Sequence, residues 1–235
     1  MATTTTLSGE IIEELKQQAA EHFWPHARQT NDMFGDNGLK LVSDSKGVWV
    51  YDVEGNEWFD TLSGMWLVNI GHGRKEIADA VYEQMQGISY SPGGTLTPVT
   101  AELAGRVAAL APDKHARVYF VSGGSEAVET ALKMAKNYQK NIGEGTRYKV
   151  ISRKGSYHGA TAGVLWLGGN PVVSRDDFEP MYPGMVYAPQ PNPYRCELGG
   201  ETPSECAERC ATAIDGLIEF EGPETVAAVI AEPVA

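Results

Sequence analysis

The sequence is short of cysteine, of positive charge and of long apolar runs, and each shortage closes off a class of protein. Its three cysteines, Cys196, Cys206 and Cys210, are an odd number and do not make a disulfide framework. They fit reduced structural thiols in a cytoplasmic protein. A zinc site asks for a fourth ligand and a second close pair, so no metal is expected. Nineteen basic residues stand against 31 acidic ones, a net charge of −12. That balance argues against nucleic acid and anionic membrane surfaces as partners. No apolar run is long enough to span a bilayer. Residues Met1–Leu7 carry neither a basic n-region nor an apolar h-region, so no signal peptide is visible; they are expected to be disordered. Internal repeats and low-complexity tracts are absent as well.

What is present suits an enzyme-sized core: 235 residues at 42% hydrophobic content. Ser8 is placed to cap a helix over 9–22 with Ile11, Ile12, Leu15 and Ala19 on one face, and Pro25 stops it. Residues 40–61 read as small antiparallel strands around a Glu54-Gly55-Asn56 turn. The glycine-punctuated stretch Ser63–Gly73 reads as a structured loop. From chemistry alone, its Trp66 reads as core filler. Helices are expected over 74–86, closed by Gly87, and over 98–110, opened by Pro98.

The richest stretch is Val118–Glu129. Val118-Tyr119-Phe120-Val121 reads as a buried strand, Ser122-Gly123-Gly124-Ser125 as a tight turn, and Val128, Ala131, Leu132, Ala135 and Tyr138 as one helix face. A helix N-terminus presents unpaired N–H groups and partial positive charge, so Gly123, Gly124 and Ser125 could seat a phosphate. An ordinary capped turn fits the same residues. A strand follows at 148–151, a loop through Ser156-Tyr157-His158-Gly159, and a short helix near 160–168. Prolines at 171, 180, 183, 189, 191, 193 and 203 speak against a long regular element there. A helix over 203–220 and a buried strand at 226–231 complete the chain.

Strands alternating with helices from residue 76 onward mean an α/β fold with a mostly parallel sheet. Ligands in such sheets sit at the carboxyl ends of the strands. Ser122–Ser125, Tyr157–Gly159 and Glu232 all fall there in the chain order. The turn at 122–125 is not the spaced three-glycine fingerprint of nicotinamide-binding folds, which argues against a dehydrogenase.

Four motifs, Gly64–Gly73, Val121–Ala127, Ser156–Gly159 and Ala231–Val234, occur in the order and spacing that resembles class III (omega-type) aminotransferases. The resemblance runs over about residues 10–235. It implies fold type I, an α/β domain with a small N-terminal α+β segment, and pyridoxal 5'-phosphate as cofactor. It implies domains at 1–75 and 76–235, the second incomplete. Gly124 and Ser125 match the phosphate cup, Tyr157 the aromatic that stacks on the cofactor ring, and Glu232 the carboxylate beside that ring. His158 would stand behind them. Trp66 matches a substrate-pocket tryptophan, and His26 lies near where such enzymes place a pocket aromatic. Gly123 departs from the pattern, where a small polar residue is frequent. Ser91–Gly94 stands where many relatives carry bulkier pocket residues, which implies a more open pocket.

The resemblance also implies an amine donor, a keto acid acceptor, most naturally pyruvate, and a homodimer. The family's Schiff-base lysine and ring-nitrogen aspartate fall after Ala235, so the 235 residues alone are expected to be inactive. The contrasting expectation is a non-catalytic, stand-alone fragment or interaction module. Lys154, close to Tyr157, reads as a solvated loop lysine.

Overall fold

The computed structural model describes residues 7–26, 33–35, 38–169 and 175–234. The expected disorder of residues 1–7 lies almost wholly outside them. The chain forms two compact units, Met1–Arg106 and Val107–Ala235.

The first unit opens with helix α1 (Gly9–His22), whose Ser8 Oγ accepts the Ile11 N–H. Ile12 is buried, whereas Ile11 is exposed, so the inward stripe is narrower than the spacing predicts. Strands β1 (Val42–Lys46), β2 (Trp49–Asp52) and β3 (Glu57–Phe59) form an antiparallel meander in the order β1-β2-β3. Asp52 organises its second turn. The buried carboxylate accepts the N–H groups of Glu54 and Asn56, the Asn56 amide at 2.9 Å and Trp58 Nε1 at 3.0 Å. Lys16 on α1 reaches Glu54 in that turn at 2.7 Å.

The expected loop at 63–73 contains a single helical turn, α2 (Ser63–Trp66), of unusual hand. Ser63, Gly64, Met65 and Trp66 have φ of 49°, 59°, 59° and 70°. Side-chain-bearing residues resist this left-handed geometry by roughly 1–2 kcal/mol each. Asp60 holds it: its carboxylate accepts the Leu62 and Gly64 N–H groups and pairs with His72 at 2.8 Å. Trp66 is 69% exposed, so it does not fill a core. Helices α3 (Lys75–Gly87) and α4 (Pro98–Leu110) follow. Gly87 ends α3 from within; the cap is Ile88. The expected boundary at 75/76 falls within the first turn of α3, whereas the division between the two units falls inside α4.

The second unit is a parallel sheet between two helical layers. Helix α5 (Gly124–Asn141) precedes β4 (Lys149–Arg153), then come α6 (Ala162–Leu165), β5 (Met185–Ala188), α7 (Pro203–Glu221) and β6 (Val226–Val229). The strand order is β5-β4-β6, with both neighbours parallel to β4. Side chains alternate across a strand. Val150 accordingly packs with Val164, Leu167 and, from α5, Val128 and Leu132. Its neighbour Ile151 packs on the other face with Ala188, Val226 and, from α7, Ile214, Leu217 and Ile218. This is the expected α/β arrangement.

One expectation needs correction. Residues 118–121 are not a strand: Tyr119, Phe120 and Val121 are exposed and pair with none of the described strands. Apolar content favours a strand only where a neighbouring ladder exists. The proline-rich segment holds no long regular element among the described residues, as expected, but it does hold one short strand. Pro183 and Pro189 frame β5 without interrupting it.

Candidate functional site

The site grows from the amino end of α5. Gly123 is extended at φ −163°, ψ 166°, and its carbonyl accepts the Ala127 N–H, which starts the helix. No atom lies within 4 Å of where a Cβ on Gly123 or Gly124 would sit. The backbone there is therefore open to a ligand, and the first N–H groups of a helix have no partner within it. Glu126 reaches back to the Ser122 N–H at 2.7 Å and keeps the turn in place. Ser125 Oγ accepts the Ala160 N–H at 3.0 Å, which ties α5 to the loop after β4.

That loop is held along its length. Ser156 is buried, and its hydroxyl donates to the Arg153 carbonyl at 2.7 Å and to the Leu167 carbonyl at 3.1 Å. The Tyr157 N–H donates to Glu232 Oε1 at 2.9 Å. Thr161 and the Gly163 N–H both donate to Glu129 Oε1 on α5. At Gly159, φ is 141°, and a Cβ would sit 2.5 Å from Val164 Cγ2 and 2.6 Å from Ser125 Oγ. Only glycine lets the loop approach the helix this closely.

Glu232 lies just past β6. Arg153, the last residue of β4, donates to its backbone carbonyl at 2.7 Å and to Oε2 at 3.3 Å. One carboxylate is thus clamped by an arginine and in turn clamps Tyr157. His158 is buried, and burial is the main cause that holds its imidazole below the usual histidine range. Nearby Glu232 pulls it up and Arg153 pushes it down. His158 Nε2 is buried without a hydrogen-bond partner among the described residues.

Of the expected site residues, Glu232 holds the Tyr157 N–H and Ser125 holds the Ala160 N–H, so the loop that carries Tyr157 and His158 is fixed from both sides at the carboxyl ends of β4 and β6, with Gly124 beside Ser125. Trp66 and His26 belong to the first unit, and both are exposed. Lys154 pairs with Glu197 at 3.0 Å, as a loop lysine does. Sequence reasoning missed Arg153 and Glu129. Each is a charged residue whose partners lie far along the chain, and no local pattern marks either. It also gave the three cysteines as reduced structural thiols, and the fold brings their sulfurs together.

Residues 33–235 match the family model Aminotransferase class-III. A "Probable aminotransferase" of Mycobacterium tuberculosis is 46% identical over 195 residues, 83% of this chain and 41% of that protein. The putrescine–pyruvate aminotransferase of Pseudomonas aeruginosa is 35% identical over 201 residues, 85% of this chain and 44% of that protein. Among solved structures, a thermostable (S)-enantioselective omega-transaminase from Thermomicrobium roseum superposes with a TM-score of 0.85 at 36% identity. That match covers 95% of this chain and 49% of the other. The chain spans about half the length of the curated relatives it matches. With its parallel α/β sheet and its glycine-lined helix terminus, the chain belongs to the class III aminotransferases, pyridoxal-phosphate-dependent proteins of fold type I.

Proposed function

We propose that the whole protein moves an amino group from an amine or ω-amino acid to a keto acid, with pyruvate as the favoured acceptor. The observation that carries this reading is the loop of Tyr157 and His158, held by Glu232 on one side and Ser125 on the other, beside an open helix terminus. The choice of pyruvate is supported by the name of the Pseudomonas aeruginosa relative.

The residues fit pyridoxal phosphate. Open space over Gly123 and Gly124 accommodates a phosphate at a helix N-terminus, where N–H groups and the helix dipole favour an anion. The unpartnered Nε2 of His158 is a polar atom that a bound group could satisfy. When bound, the cofactor supplies an electron-withdrawing ring that stabilises charge at the substrate carbon. The chain's own residues do the positioning. Gly124 and Ser125 bind the phosphate, Tyr157 covers the ring, and Glu232 fixes the Tyr157 backbone. His158, held toward its neutral form, backs this layer.

Trp66 and His26 shape the substrate pocket in this reading, and the small residues Ser91–Gly94 leave it open on one side. None of the 235 residues is assigned the covalent bond to the cofactor. A homodimer in the cytoplasm belongs to the same proposal, supported by the resemblance and by three free cysteines.

The test is made on the complete reading frame. Purified protein should retain pyridoxal phosphate, and its absorbance should change on adding diamines or aromatic amines. Added pyruvate should be converted to alanine. Protein that holds the cofactor but forms no alanine with any amine overturns the acceptor assignment; protein that never holds the cofactor overturns the whole reading.

A further inference from the structure

The second unit contains a cluster the transamination site does not use. Cys196, Cys206 and Cys210 bring their sulfurs within 4.8 Å of one another, and Cys206 and Cys210 are buried. All three thiols are free. Cys206 and Cys210 are one helical turn apart on α7 and so share a face. Cys196 is delivered to that face by a tight turn. The Gly199 N–H donates to the Cys196 carbonyl at 3.0 Å, with Gly199 at φ 72°. A Cβ on Gly200 would lie 2.6 Å from the Cys206 nitrogen, so this turn is pressed against the start of α7. Arg209 fastens it by donating to the Leu198 carbonyl at 2.8 Å.

We propose that Cys196, Cys206 and Cys210 form a binding site for one thiophilic divalent metal ion of the zinc type. Zinc–thiolate bonds are about 2.3 Å, so sulfurs on a tetrahedral ion lie about 3.8 Å apart. The observed cluster needs to close by an ångström or less. A disulfide needs sulfurs at about 2.05 Å and would leave the third thiol over. Three protein ligands leave one position for water, and Cys196 is the one member of the cluster that is not buried. Three thiolates and a divalent ion carry one net negative charge, which the Arg209 guanidinium balances.

Binding converts three thiols to three thiolates and releases their protons to solvent, with no change of oxidation state.

The test uses full-length protein, reduced and then freed of reductant without air. Cadmium is titrated in while the ultraviolet thiolate-to-cadmium band is recorded, and zinc is then added. The expected result is a band that saturates at one ion per chain and is displaced by zinc. Cys196→Ser and Cys206→Ser should each weaken binding roughly 100-fold or more. Far-UV circular dichroism and cofactor retention check that the variants fold, and the half-exposed Cys196 is the safer of the two to change. A band that is the same in wild type and in folded Cys196→Ser protein overturns the proposal. So does protein whose reduced thiols take up no ion, or whose thiols count as a Cys196–Cys206 disulfide that excludes it.

Discussion

Glu232 Oε1 accepts the backbone N–H of Tyr157 at 2.9 Å, while the Arg153 guanidinium sits 3.3 Å from Oε2 of the same carboxylate. The aromatic ring after β4 is therefore placed by a side chain after β6. Hydrogen bonds to charged groups contribute about 1.5–3 kcal/mol. Glu232→Ala in the full-length protein should weaken cofactor retention by roughly 10–100-fold. Glu232→Gln keeps an acceptor for Tyr157 and should lose less. Equilibrium dialysis against pyridoxal phosphate separates the two; equal losses would place the effect in the ion pair with Arg153.

Gly159→Ala tests the close approach of loop and helix. The added methyl would collide with Val164 and with Ser125 Oγ, in a backbone geometry that side chains rarely adopt. Overpacking of this sort costs about 1–3 kcal/mol. Urea unfolding should show that loss, and cofactor retention should fall with it, because the displaced atom is the Ser125 hydroxyl.

Stability should rise with pH across the histidine range because of His158. Its folded value lies below the ordinary one, so the unfolded chain binds the proton first. The contribution is complete above the ordinary histidine value and is lost as the pH falls from there to the lower folded value. His158→Asn should flatten the slope by at most one proton. Thermal midpoints measured from mildly acidic to neutral pH decide it.

Asp52 makes stability sensitive at a more acidic pH. Burial pushes its carboxyl up, but the donors from Asn56 and Trp58 and the backbone of Asn56 and Glu54 together hold it below the usual carboxylate range. Its stabilisation is present above the ordinary aspartate value and disappears as the pH falls through the depressed one. Asp52→Ala leaves four donors without an acceptor and should destabilise the first unit by about 3 kcal/mol. Urea titration followed by the fluorescence of Trp58 measures it.

The core of the second unit turns on β4. Ile151 is fully buried, and Ile151→Ala should cost about 2–5 kcal/mol. Denaturant midpoints provide the measurement; a loss below 1 kcal/mol would mean the α7 layer collapses onto the gap.

The helices were legible because each carries its own signals. Ser8 caps α1, Pro98 opens α4, and Gly143, at φ 91°, follows α5. Strands were harder, since a strand exists only with a partner. Tyr119 and Phe120 have the composition of one but pair with none of the described strands, while β5 is short enough to fit between prolines that speak only against a long element. At the site, Ser125, Tyr157 and Glu232 could be picked from motif order. Arg153 could not, because its hydrogen bond to Glu232 joins residues 79 apart. The pairing of Cys206 with Cys210 follows from helical spacing. The return of Cys196 depends on a turn that Gly199 and Gly200 permit, and spacing alone does not show it.

The left-handed turn at Ser63–Trp66 makes the native sequence less stable than a simpler one would be. Met65 and Trp66 sit where glycine would sit without resistance. An engineer seeking a hardier protein therefore has a place to work that touches no core residue: Met65→Gly removes strain that the present side chain sustains. Whatever activity such a variant loses would measure what the strained turn contributes.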